Sequence, residues 1–445
     1  MYKKFLLIGS ENFVDEIKPA LSELALEIEI AQDYQEIVSV LRKKSIDIVL
    51  FDADHYPLKS SSLQKIFKLL KQSKKEFVVF SGIKNISTVL KAGEIGSSDY
   101  ILKPYNFREL SLRLTAILNH RKKIVCLGGG TGLFNLLMGL KNLPDVLPIS
   151  VVSTTDDGGS SGKLRESFGV LPPGDVRRSL VALSTAPEAM NDIMTYRFTE
   201  GGCFVGHSLG NLLLTALTKI KGSMSLAVSG LSDILNIQGI VLPVAITKSK
   251  LCALFEDGTV IKGESNIDLG KGRPPDLRIK KCWHEPPPKC NPNSFASIIN
   301  ADIVIMGPGD LYTSVITNLL IGDIRQAVTG TKSKKFYICN IMTKPGETSD
   351  FTALDHIKEI VKYLKQDCLD YVIISDNSSL SKGALLRYSR KKQFPVQVGD
   401  ISEIKRITNA KIIIADVAHE TELIRHDNQK IADCLIKIIR QEHLK

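Results

Sequence analysis

No apolar run in this 445-residue chain reaches the roughly 18 residues that would cross a bilayer, which excludes a helical membrane span. The apolar stretch Phe5-Leu6-Leu7-Ile8 is too short for a signal peptide and is followed by acidic residues, so it reads as a first strand. There is no C-x-x-C pair. The eight cysteines lie far apart, and Cys126, Cys252 and Cys339 sit inside apolar runs, a usage that suits reduced thiols in the cytoplasm. Cys282-Trp283-His284 with Cys290 lacks a clear fourth ligand and reads as a proline-rich loop, not a zinc site. The net charge of +10 comes without an aromatic-flanked basic motif. Its short clusters (Arg121-Lys122-Lys123, Lys332 to Lys335, Arg390-Lys391-Lys392) are scattered, which favours anionic metabolites over nucleic acid. With 43% hydrophobic and 24% charged residues the chain is not disordered, and its length suits two or three domains.

What is present begins at Gly128-Gly129-Gly130-Thr131-Gly132, directly after the apolar run Lys123–Leu127 and before an amphipathic helix (Leu133, Leu136, Leu137, Leu140). Backbone without Cβ atoms lets N–H groups approach a ligand, and a helix N-terminus favours a phosphate or diphosphate. A second loop, Thr154 to Gly162, follows the next apolar strand and carries Asp156-Asp157, as expected for acids facing ribose or a metal. A third strand–glycine turn–helix unit runs through Gly307-Pro308-Gly309-Asp310 to Thr313 and Ser314. Two such turns can converge on one diphosphate. The dinucleotide fingerprint is incomplete, because Leu133 or Asn135 stands where its third glycine belongs. Asp175, after Pro172-Pro173-Gly174, is placed to cap a helix. His207, Ser208 and Asn211 stand at the start of another, before Leu212-Leu213-Leu214.

Residues 1–120 alternate strand and helix in five units, with strands at Phe5–Ile8, Ile28–Ala31, Ile46–Phe51, Phe77–Phe80 and Asp99–Leu102 and a last helix from Phe107. This part resembles the receiver domain of response regulators. Asp52 stands at the phosphoacceptor position, Ser81 at the family's Ser or Thr, and Lys103-Pro104 at its Lys and proline. Gly9-Ser10 replaces the acidic pair that holds Mg2+ in that family, leaving only Glu11. A weakened phospho-switch and a pseudo-receiver used for dimerisation or docking are the two readings, the second favoured. No flexible linker separates it from residues 121–445. There, short β-type runs (Val244–Thr247, Cys252–Phe255, Val260–Gly263) between Leu242 and Asn293 read as an antiparallel insertion. Strands at Phe336–Ile341, Tyr371–Ser375 and Ala410–Ala415 and a helix from Asn428 complete the domain.

From 123 to 445 the motifs Gly128–Gly132, Asp156–Gly162, Pro172–Asp175, Gly206–Asn211, Gly307–Ser314 and Met342–Thr348 resemble the UDP-sugar-binding gluconeogenesis factor family. Its superfamily includes the 2-phospho-L-lactate transferases. The resemblance implies an α/β architecture: a flavodoxin-like (receiver) domain, then a doubly wound, Rossmann-like nucleotide-binding domain with a β insertion. It implies a UDP-sugar ligand such as UDP-N-acetylglucosamine or UDP-glucose, and a role in cell-wall precursor supply and cell shape. It also implies phosphate contact by Thr131 and ligand contact by Tyr388 and Arg425. Arg425 pairing with Asp427, and Tyr388 covering apolar surface, are the plainer alternatives. Asp310, beside a phosphate loop, is expected to cap its helix, and Asp156, Asp157 and Asp310 are candidate Mg2+ ligands. With no nucleophile–base pair fixed by sequence, the expectation is a cytoplasmic regulator with a protein partner and an open question of homodimerisation. The alternative is a nucleotide-dependent group transferase, with Asp156 or Asp157 as base or metal ligand and His207 as acid or base.

Overall fold

Continuous apolar runs become strands buried on both faces, the pattern of parallel sheets between helices. The computed structural model describes residues 3–22, 24, 27–42, 46–55, 61–73, 75–82, 86–269 and 277–443. It divides into one unit of Met1–Lys123, Asp145–Leu147 and Pro292–Ala301, and a second of Ile124–Pro144, Pro148–Asn291 and Asp302–Lys445.

In the first unit, strands β1 (Lys4–Ile8), β2 (Glu27–Ala31), β3 (Ile48–Asp52), β4 (Glu76–Ser81) and β5 (Asp99–Leu102) form a sheet of order β2-β1-β3-β4-β5. Every pairing is parallel. This is a doubly wound order that gathers functional side chains at the carboxyl ends of the strands. Asp52 ends β3, buried, and accepts from Lys103 Nζ at 2.6 Å. Asp54, which the motif reading passed over, accepts from Ser81 Oγ at 2.8 Å and from Gly82 N–H at 2.7 Å. Glycine at position 9 has a packing reason: a Cβ there would lie 2.8 Å from both Asp52 Cβ and Phe13 Cδ1. The helix Pro292–Ile299 belongs to this unit, and its Ser297 accepts from Arg113. Arg113 also pairs with fully buried Asp99 at 3.1 Å. Burial alone would raise the Asp99 carboxyl, but Lys123 and Arg113 outweigh it and hold it below its ordinary value.

In the second unit, apart from Lys122, Lys123, Val146 and Leu147 at the starts of the first two, β6 (Lys122–Gly128), β7 (Val146–Val152), β8 (Ile240–Pro243), β12 (Ile303–Met306), β13 (Lys334–Ile338), β14 (Tyr371–Ser375) and β15 (Lys411–Ala415) build a seven-stranded sheet. Its order is β15-β14-β13-β12-β6-β7-β8, with parallel pairing of β12 to both β6 and β13. An antiparallel insertion of order β10-β9-β11 consists of β9 (Lys250–Phe255), β10 (Val260–Lys262) and β11 (Ile279–Glu285). Two expectations are corrected. Val244–Thr247 is not a strand, since Ala245 makes only an isolated bridge to Cys290. The stretch around Cys282 is a strand, not a loop, and Cys282 and His284 both point inward from it. Residues 270–276 of the expected insertion lie outside the described residues.

Candidate functional site

The strand order of the larger sheet reverses between β6 and β12. From β6 the chain proceeds to β7 on one side, and from β12 to β13 on the other. Such a switch point opens a crevice at the carboxyl ends of the two strands. Both glycine turns stand there. Gly130 (φ +67) opens helix α1 (Gly130–Leu140), and Gly307 (φ +82) turns the chain out of β12. They pack back to back, so that a Cβ on Gly132 would lie 2.5 Å from Pro308 O. Thr131, Gly132, Gly309, Asp310, Lys344, Tyr388 and Arg425 contribute to the lining of a cleft of 370 Å³ beside the turns.

On another side of the first turn the structure gathers carboxylates. A Cβ on Gly129 would lie 2.5 Å from Asp175 Oδ2, and one on Gly174 would lie 2.6 Å from Asp156 Oδ2. Asp175 does not cap its helix, α2 of the unit (Gly174–Leu183), as the sequence suggested. It lies inside the first turn, where its carboxylate accepts the Gly130 N–H and pairs with Arg178 at 3.1 Å. Burial, then Asp156, push it up to about 6. Glu264, delivered by the insertion, accepts from Thr155 Oγ1 at 2.9 Å. Burial, then Asp156 and Asp175, raise its carboxyl well above the ordinary range. Asp157 turns away and takes the Ser265 N–H at 2.8 Å.

His207, Ser208 and Asn211 do not present themselves to the cleft and are buried around Ser160. Its hydroxyl lies 3.1 Å from His207 Nδ1 and accepts from Asn211 Nδ2 at 3.1 Å. Arg177 Nε donates to Asn211 Oδ1 at 2.9 Å. These groups brace the loop that carries Asp156 and Asp157. Burial, then Lys163 and Arg197, lower the His207 pKa. The triple-leucine run is only partly buried, with Leu213 exposed and Leu214 enclosed.

Asp310 is not a cap either. It precedes the π-helical stretch Leu311–Ile316 without a side-chain capping bond, and its carboxylate accepts from Lys344 Nζ at 2.5 Å. Lys344 also pairs with Asp268 and lies 3.5 Å from Glu347 Oε1. One oxygen each of Asp268, Asp310 and Glu347 lies within 4.8 Å of the others, an oxygen-only set suited to a hard divalent cation. Burial, then Glu347 and Asp175, push the Asp310 carboxyl upward, a push that the cleft moderates, since 40% of that side chain is exposed. Thr313 Oγ1 donates to Glu347 at 2.8 Å, so it orients this carboxylate. Tyr388 is 9% exposed, packs with Ile341 and Ile424, and its hydroxyl accepts the Ile424 N–H at 2.8 Å while the residue lines the cleft. Arg425 is exposed on the rim. Asp427 lies 3.5 Å from His419 Nδ1 and accepts backbone N–H groups of Gln429 and Lys430. Glu264, Lys344, Glu347 and Ser160 were not singled out as site residues from the sequence. Ser160 lies within the Asp156–Gly162 motif and Lys344 and Glu347 within Met342–Thr348, whereas Glu264 belongs to no motif named from the sequence.

Residues 124–418 match the family model of 2-phospho-L-lactate transferase CofD. The chain is 43% identical over 321 residues to a putative gluconeogenesis factor of Thermotoga maritima, covering 72% of this chain and 99% of that one. It is 39% identical to the gluconeogenesis factor of Bacillus subtilis, covering 73% of this chain and all of that one. A crystal structure of a UPF0052 family member from Bacillus halodurans is similar at a TM-score of 0.67 and 37% identity, covering 71% of this chain and 99% of that one. The match to a transferase family overturns the expectation of a non-enzymatic UDP-sugar regulator and backs the group-transferase alternative. By this match and these relatives, the chain belongs to the gluconeogenesis factor/UPF0052 (CofD-like) family.

Proposed function

We propose that the chain is a nucleotide-dependent group transferase whose two glycine turns hold the diphosphate of an activated donor. The observation that carries this reading is the cluster of Asp156, Asp175 and Glu264, of which Asp175 lies inside the first turn. Asp175 and Glu264, whose proton affinity is raised, have the properties of a general base beside a phosphate cradle. Backbone N–H groups of the first turn of α1, with Thr131, receive the phosphates. Glu264 takes the proton of an acceptor hydroxyl. The acceptor oxygen then bonds to the donor phosphorus, the phosphoanhydride bond breaks, and a nucleoside phosphate leaves. Asp268, Asp310 and Glu347 would hold Mg2+, which offsets the charge of a diphosphate. Lys344 orients the same carboxylates from the cleft floor. Tyr388 and Arg425 contact the rest of the donor.

We read residues 1–120 as a receiver-like docking module for a protein partner. Its strand order supports this, and Gly9-Ser10 supplies no carboxylate for the metal that aspartyl phosphorylation needs. Residues 121–445 are the transferase. We place the chain in the cytoplasm, consistent with eight free cysteines.

The test follows nucleotides by phosphorus NMR in the presence of Mg2+, hydroxyl acceptors and the full chain. Mg2+-dependent release of a nucleoside phosphate is expected, lost in Glu264→Gln with donor binding retained. Nucleotide that binds stoichiometrically and stays intact with every acceptor, water included, would overturn the assignment.

A further inference from the structure

We propose a second anion site, taking a phosphate monoester dianion, in a 530 Å³ cavity that shares no lining residue with the cleft. It is lined by the last turns of the helix Gly159–Phe168 and by the ends of β9, β10 and β11. Arg165 forms one wall. It is 8% exposed, its Nη2 donates to Ser249 O at 2.6 Å, and its Nη1 is buried with no hydrogen-bond partner among the described residues. A guanidinium stays protonated, and a buried N–H without an acceptor is uncommon and destabilising. An anion entering the cavity supplies that acceptor after a small shift of the side chain.

The charges around the cavity point the same way. Lys248 and Lys250 are exposed beside Arg165 and form no ion pair among the described residues. Lys262 is already paired with Glu285 at 2.8 Å, which leaves exposed Glu166 as the unpaired carboxylate among the described lining residues. Four cationic side chains thus face two carboxylates, a surplus that matches a dianion. A planar Arg fork with two mobile ammonium groups is a phosphate-binding combination.

The test titrates the full chain calorimetrically with inorganic phosphate at about pH 8, where a phosphate group is a dianion, at constant ionic strength. Malonate serves as the carboxylate comparison. Arg165→Gln risks misfolding, so the exposed pair Lys248→Ala/Lys250→Ala is the main variant, with thermal unfolding as the check on its fold. Affinity for phosphate is expected to fall about tenfold in that variant, the loss of a charge-assisted contact. It should rise in Glu166→Gln. The proposal is overturned by no saturable phosphate binding, by parental affinity in the lysine variant, or by malonate binding as tightly as phosphate.

Discussion

Gly132→Ala asks whether the two glycine turns form one phosphate cradle. A Cβ at residue 132 would lie 2.5 Å from Pro308 O, 2.7 Å from its carbonyl carbon and 3.0 Å from Gly309 N. All three are backbone atoms, which have no rotamer to change. Ordinary contact begins at about 3.5 Å, so the second turn must retreat by about 1 Å. Overpacking of this kind costs about 1–3 kcal/mol, and a displacement of about 1 Å in a positioned reactant costs about 100-fold in rate. Urea unfolding should therefore show a lowered midpoint, and nucleotide turnover should fall by two orders of magnitude. Two controls separate the causes. Gly130→Ala places a side chain at φ +67 with only Ser314 Oγ nearby at 3.7 Å, which strains the backbone by about 1–2 kcal/mol without moving the second turn. Gly330→Ala, at the end of a helix with nothing within 4 Å, should leave activity unchanged and stability at or above the parental value. Parental turnover and donor affinity in a destabilised Gly132→Ala would refute the joint cradle.

The unusual sign of the Asp175 shift gives a pH prediction. The folded state holds this proton up to about 6 and the unfolded chain only to about 3.9, so between those values unfolding releases protons and stability falls as pH rises. Asp175→Asn should flatten that fall and leave the chain more stable above it, measured as urea midpoints against pH. Lys344→Met leaves Asp268, Asp310 and Glu347 without their ammonium, and its melting temperature should become strongly dependent on added Mg2+. An identical Mg2+ response in parent and variant would count against that carboxylate set. Arg113→Met leaves Asp99 buried without the guanidinium that hydrogen-bonds it, at a cost of about 3–5 kcal/mol. Adding Asp99→Asn should recover much of the loss in the same denaturation assay.

The strands that were legible share one physical cause. Parallel strands covered on both faces, such as Ile303–Met306 and Tyr371–Ser375, are apolar at nearly every position, and no partner choice hides that signal. The strand Ile279–Glu285 was not legible. It alternates Cys282 and His284 inward against Trp283 and Glu285, but a register shift between Ile279 and Lys281 breaks the period of two. The prolines that follow it then weighted the reading toward a loop. Val244 and Ala245 mislead in the opposite direction. Both are buried, yet their backbone groups go to Val152, Asn291 and an isolated bridge instead of a ladder.

For the site, local geometry was readable and long-range charge was not. Glycine turns announce themselves because only residues without Cβ atoms fit the approach of one turn to the other, and that constraint is written at the positions that obey it. The partner of a carboxylate is not written beside it. Thr155 meets Glu264 across 109 residues, and Asp310 meets Lys344 across 34. Near-neighbour reasoning therefore assigned Asp175 and Asp310 to helix caps, the interaction available within three residues. The capping reading fails for a reason general to phosphate sites. A carboxylate beside a diphosphate is repelled unless a cation stands close to both, so such an Asp is retained where a lysine or a metal completes it. The fold supplies Lys344 from the turn after β13, the strand next to β12, and Asp310 becomes intelligible only when those two strands are known to be neighbours.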